Sequence, residues 1–250
     1  MKKLFWSLIL SLLFPTLALA GVVLTDAQGG KTYIENGRLK HVDTEGRIEI
    51  FHATTGEMFL IDANRKLYAR GTVADFCKAG KGMMDAAMSK IPPEQREMMK
   101  QYMGNMGAKR TPPQVTVAMV GGGGDVAGFA TTKYAVKVDG RPYQDLWLAN
   151  DRTLMKELQS VEKLLGMSAE MASCMGSEMG GQAPLAAEGT PAYQALFKKG
   201  YPLKSVSLEE GTPTVQEEVV RVEKRKLSAA DFTPPTGYRE VSFAAFVTGG

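Results

Sequence analysis

Histidine is almost missing from these 250 residues: His41 and His52 are the only two. Cysteine is equally scarce, with Cys77 and Cys174 alone. The ligand and redox motifs H-E-x-x-H and C-x-x-C are absent, and so is the nucleophile elbow G-x-S-x-G. Carboxylates are scattered along solvent-facing positions, and no pair stands out as acid and base. His41 and His52 each fall in a strand-like stretch with no motif around them and read as surface or packing residues. Nothing here points to catalysis, and a non-enzymatic protein without a cofactor is the expectation.

Charge of one sign is lacking too. The formal net charge is +3. Without Lys2 and Lys3 it falls to +1, which gives no electrostatic case for nucleic acid. The one basic cluster, Lys224-Arg225-Lys226, follows "EEVVRVE" and reads as a solvated face or a protected sheet edge. Beyond residue 20 no apolar run approaches the ~20 residues that cross a bilayer. Two motif matches carry no weight. Ser160-Val161-Glu162-Lys163 fits S-x-x-K, but it sits mid-helix without partner motifs. Gly121 to Gly124 lacks a following Lys-Ser/Thr and precedes a strand, so it reads as a bulge or hinge.

What is present begins at the N-terminus. "MKKLFWSLILSLLFPTLALA" has a positive start, an apolar core from Leu4 to Phe14, and an Ala18-Leu19-Ala20 cleavage signal. This is the pattern of a secretory signal peptide over 1–20, cut after Ala20. The mature chain, 21–250, suits one domain in the periplasm or outside the cell. In that oxidising compartment two cysteines make one disulfide the expectation. It would close a loop of nearly a hundred residues.

From Lys31 to Arg70 the chain reads as a β-meander. "KTYIE" precedes Asn36-Gly37, a strong hairpin signal. "RLKHVD", "RIEIFHA", "EMFLID" and "KLYAR" follow. Both faces of "EMFLID" are apolar, so that strand should be covered on both sides. The period then becomes helical over "TVADFCKAGKGMMDAAMSKI", and Pro92-Pro93 ends this helix and starts another. Residues 104–113 read as a loop and "QVTVAMV" as a strand, with a break at Gly121 to Gly124. "TTKYAVKVDGRPYQDLWLAN" is a hairpin turning at Asp139-Gly140. Asp151 caps a helix expected to reach about Cys174, with Leu154, Leu158, Val161 and Leu165 as its stripe. A Gly/Ala-rich loop over 176–190, a short helix "PAYQALFKK", two more strands, "DFTPPTGY" and a last strand "REVSFAAFV" complete the chain. Hairpin-linked strands with helices grouped between them give an α+β fold. With so many strands, the antiparallel sheet must curl into a partial barrel.

Three stretches, "GEMFLIDANRKLYARGT" (56–72), "KYAVKVDGRPYQDLWLAND" (133–151) and "DFTPPTGYREV" (231–241), together resemble a secreted bacterial family known only as a domain of unknown function (4412). That family is similar in fold to the periplasmic lipoprotein carriers LolA and LolB. The resemblance implies an unclosed, half-barrel antiparallel sheet packed over helices, with an apolar cavity between. In the carriers such a cavity holds acyl chains.

Methionine is the unusual component, fifteen in all. In "GMSAEMASCMGSEMGG" it recurs at Met167, Met171, Met175 and Met179. Four residues advance about 400° around a helix, so the first three form a slanting stripe. A second set lies on the preceding helices. Ordinary core, a deformable surface for an apolar ligand, and a Cu(I) site of thioethers all remain open readings. The ligand reading names a lipid or acylated molecule bound between sheet and helices, lined by Met84, Met88, Met99, Met103, Met167, Met171 and Trp147. An envelope protein-interaction module, in peripheral contact with the cell envelope, is a further alternative.

Overall fold

The structure, a computed structural model, describes residues 21–98, 113–164, 166–167, 170–171, 174, 185–209 and 211–249. Twelve strands form one sheet. They are β1 (Gly21–Asp26), β2 (Lys31–Glu35), β3 (Arg38–Val42), β4 (Arg47–His52), β5 (Glu57–Asp62), β6 (Leu67–Thr72), β7 (Val115–Val126), β8 (Phe129–Val138), β9 (Arg141–Ala149), β10 (Tyr201–Ser207), β11 (Thr214–Arg225) and β12 (Arg239–Val241). Their order in space is β12-β6-β5-β4-β3-β2-β1-β11-β10-β9-β8-β7. The chain therefore runs outward from β1 to β6, crosses to the far edge at β7, and returns strand by strand until β11 pairs with β1. All pairings are antiparallel except the short β12 beside β6. Strands β12 and β7 are the two ends, so the sheet is curled but unclosed. This is the α+β half-barrel expected from the sequence.

The hairpins form where the turn chemistry placed them. Asn36 and Gly37 have φ of 50° and 76°, and Asp139 and Gly140 have 51° and 78°. These positive values suit turns that follow the right-handed twist of the strands. Strand β1 was not among the expected strands, yet it joins the two halves of the sheet. Gly121 to Gly124 is no break either. Strand β7 runs through it, with register shifts between Met119 and Gly121 and between Gly122 and Gly124. The glycines are a double bulge, which bends and twists a strand without ending it.

Helix α1 (Val73–Ser89) starts in a capping box in which Thr72 and Asp75 satisfy one another's backbone N–H groups. Helix α2 (Arg152–Ser160) is capped by Asp151, whose carboxylate accepts from the Thr153 and Leu154 N–H groups. It ends at Ser160 rather than near Cys174, and helical residues resume beyond its C-cap, Val161. Leu164 is the buried residue there, while Leu165 lies outside the described residues. Residues 185–188, expected as loop, are a helical turn. The expected last strand is mostly helix. Only Arg239–Val241 is extended, and Ser242 caps helix α3 (Phe243–Thr248). A serine that satisfies an N-terminal N–H outweighs the strand-like alternation of "VSFAAFV".

Both faces of the sheet are covered. On the inner face, Val22, Ile34, Leu39, Phe51 and Met58 lie opposite one another across five neighbouring strands. Helix α2 packs Leu154 and Leu158, and the segment after it Val161 and Leu164, over one end of this surface. Val73 of α1 and Phe243 of α3 cover the other end. On the outer face, Val23, Ile50, Phe59 and Ile61 meet Leu227 and Phe232 from the segment after β11. Leu146 and Leu148 meet Tyr193 and Leu196 from the helical turns at 191–198. Strand β5 is thus buried on both sides, as its sequence required. Among the described residues, no helix is long and apolar enough to cross a membrane.

Candidate functional site

The inner face carries the one expected ligand surface. Its apolar floor divides into two clusters. One lies under α2, around Val22, Ile34, Leu154 and Leu203. The other lies under α1 and α3, around Met58, Ala69, Val73 and Phe243. Phe51 and Met167 pack against both clusters and form the seam between them.

The disulfide shapes this seam. Cys77 and Cys174 are bonded, with their Cα atoms 5.8 Å apart. The bond ties α1 to the helical residues that follow α2. Met167 and Met171 are held against the second cluster by that segment. Both are half-buried, with their apolar contacts on the floor.

Among the described residues, helix α1 packs on the second cluster through its first turns, with Val73, Phe76, Cys77 and Ala79. The Phe76 ring meets Phe243 edge-on at 5.6 Å. Further along, Met84 and Met88 are half-buried and belong to neither inner cluster. A Cβ added at Gly80 or Gly82 would meet nothing within 4 Å. Met99 and Met103 lie outside the described residues.

Trp147 stands at the far end of the inner face, packed against the α2 cluster and half-buried. Its ring lies between Lys133 Nζ at 4.8 Å and Lys204 Nζ at 5.7 Å. Lys133 is paired to Asp145 at 2.7 Å and Lys204 to Glu218 at 2.9 Å. The Trp147 surroundings are therefore a charged lattice with an aromatic centre. The expected lining residues separate into Met167 and Met171 at the seam, Met84 and Met88 further along α1, and Trp147 in polar surroundings. Sequence reasoning missed Phe51 and Met155, which border the same apolar floor. The signal for Phe51 was its departure from the Ile48–Ile50 alternation in "RIEIFHA", which puts it on the other face. Its position beside Met167 depends on register and helix packing.

Among the described residues two carboxylates are buried, Glu157 next to the floor and Glu35 on the adjoining strand. Glu157 of α2 is 1 % exposed. Its Oε2 accepts from the Asn36 N–H at 3.0 Å, fastening α2 to the β2–β3 turn. Burial pushes its carboxyl above the ordinary value, against the lowering effect of the Asn36 N–H. On the outer side of the same turn, Glu35 accepts from the Leu227 N–H at 3.1 Å.

A Cu(I) site would have thioethers alone to work with, since both sulfurs of the cysteines are spent on each other. Among the described residues no group of three or more His, Cys, Asp or Glu is placed to hold a metal ion. His41 Nδ1 lies 3.0 Å from Thr32 Oγ1, and His52 Nε2 lies 3.0 Å from the Phe232 carbonyl oxygen. The basic cluster also has internal work. Lys224 pairs with Asp151 at 3.0 Å, and Arg225 lies over the Tyr33 ring. Strand β11 pairs with β10 through Thr214–Glu218 and with β1 through Val219–Arg225, so Lys224 and Arg225 lie where the strand is paired to β1 alone.

The fold and this surface define an unclosed antiparallel half-barrel with an apolar inner face under a disulfide-tied helical layer. A family profile described as "Domain of unknown function (DUF4412)" matches residues 95–238, more than half of the chain. The protein belongs to that family. The match takes in β7 to β11 and α2, while β1 to β6 and α1 precede it. No curated protein matches the chain.

Proposed function

We propose that this is an exported, non-enzymatic protein that reversibly binds an apolar ligand, a lipid or acylated molecule, between the inner sheet face and the helical layer. The observation that carries the reading is the placement of Met167 and Met171, half-buried on the apolar floor and held there by the Cys77–Cys174 bond. Thioether side chains are unbranched and polarizable, and they repack around varied apolar partners. A site of this kind needs a largely preformed apolar surface with few polar groups. Export rests on the n-region, apolar core and Ala18-Leu19-Ala20 signal, with cleavage after Ala20 into the periplasm or beyond. The mature chain then acts as one domain, in peripheral contact with the envelope.

A second reading, a module that pairs with another envelope protein, draws on a different observation. Met119 and Val120 stand side by side on edge strand β7, 68 % and 60 % exposed. An apolar edge strand is a template for pairing with another chain.

The test uses a pyrene-labelled acyl chain carried either as the fatty acid or as its monoglyceride. We expect the mature protein to bind at least one of them. Met171→Leu should keep the binding, and Met171→Asp and Met167→Asp should each weaken it by about tenfold or more, as expected for a charge placed on an apolar contact. Binding of neither probe, or equal binding by the aspartate variants, overturns the proposal.

A further inference from the structure

A cleft of about 510 Å3 opens between the β4–β5 turn and the end of α2. Ala53 and Thr54 form one wall, and Ser160, Glu162, Lys163 and Gly166 are on the other. One of these residues leads inward. Ala53 is 7 % exposed and belongs to the inner cluster under α2. It lies two residues after Phe51. Gly166, exposed on the other wall, is the chain neighbour of Met167. Phe51 and Met167 are the two side chains that pack against both inner clusters. The cleft is therefore a polar mouth beside the seam of the apolar floor.

The chemistry of the mouth limits what fits. Glu162 and Lys163 bring one charge of each sign, and both are exposed to solvent. The Ser160 hydroxyl donates to the Glu157 carbonyl at 2.7 Å, which leaves its oxygen to accept. A head with net charge would find no matching excess of opposite charge in the lining. A hydroxyl-bearing, uncharged head would find donors and acceptors of both kinds. We propose that this cleft seats the uncharged, hydroxylated head of a single-chain amphiphile, of the monoacylglycerol class, whose acyl chain enters at the Phe51–Met167 seam. The inference rests on the apolar-ligand reading above and names its ligand class and portal.

Gly166 supplies the test. A Cβ there would meet nothing within 4 Å, so Gly166→Phe fills the cleft without a clash at the backbone. Thr54→Trp, from the exposed opposite wall, serves where Gly166→Phe folds poorly. Binding of the pyrene-labelled monoglyceride and fatty acid is measured for both variants, with thermal unfolding and disulfide content as folding controls. We expect the wild-type protein to favour the monoglyceride by about tenfold, and a blocked cleft to weaken it by about tenfold. If blocked variants bind like wild type while Met171→Asp does not, the cleft is overturned and the apolar-ligand reading stands. If the fatty acid binds as well as the monoglyceride, the uncharged head is overturned. If the wild-type protein binds neither, both readings fall together.

Discussion

A single buried carboxylate shows how this protein joins its parts. Glu157 sits on the face of α2 that packs against the sheet, where an apolar residue is the rule, and it accepts from the Asn36 N–H at 3.0 Å. Burial raises its carboxyl above the ordinary value of 4.5. The folded state thus holds this proton more tightly than the unfolded chain does. Its contribution is fully present below about pH 4.5 and is lost as pH rises through the raised value. Glu157→Gln keeps an oxygen for Asn36 and removes the buried charge. We expect urea unfolding to show the Gln variant gaining on wild type between pH 5 and pH 8. Glu157→Leu leaves the Asn36 N–H without its acceptor and should cost about 1–2 kcal/mol relative to Gln at acid pH. A wild-type protein that gains stability over Gln as pH rises would contradict this account.

At the scale of elements, β7 is the informative strand. Its four glycines do different work. A Cβ at Gly123 would lie 2.6 Å from Trp147 Cδ1 and from Thr131 Oγ1. At Gly122 it would meet nothing within 4 Å. The second bulge therefore brings the Gly123 backbone onto the edge of the indole. Gly123→Ala should destabilise by about 1–3 kcal/mol through overpacking, whereas Gly122→Ala should stay within about 0.5 kcal/mol. Trp147 is the only tryptophan beyond residue 20, so its fluorescence reports the site directly. A shift in emission is expected for Gly123→Ala alone. Helix α3 shows the opposite balance. Its segment alternates like a strand, but Ser242 offers a cap and Phe243 a buried contact beside Met58 and Val73.

At the scale of the molecule, the disulfide spans a sequence separation of 97 residues and ties α1 to the segment after α2. The chain-entropy model puts the stabilisation for so long a loop at about 4–5 kcal/mol. The Cys77→Ser/Cys174→Ser double variant should therefore unfold at markedly lower urea concentration than the oxidised protein. Reduction of the wild type should reproduce the loss. An unchanged midpoint would mean that packing of Phe76, Met167 and Met171 on the inner floor suffices without the bond.

Much of this was legible from local sequence, because the signals involved are local. The Asn36-Gly37 and Asp139-Gly140 hairpins need only two residues with positive φ. Asp151 needs only the N–H groups two and three residues ahead to cap α2. Two apolar faces in "EMFLID" required two covers, and the covers are there. Curling followed from the number of strands, and the unclosed half-barrel from the family resemblance. What needed the tertiary structure is everything set by partners far apart in the chain. Strand β1 is short and unremarked until β11 returns to pair with it. Phe51 and Met167 become a seam only through register and the Cys77–Cys174 bond. Trp147 reads as apolar until Lys133 and Lys204 are seen on either side of it. The physical reason is one of range. Turns, caps and face patterns are decided within a few residues, whereas burial and contact between distant side chains exist only once the whole sheet has assembled.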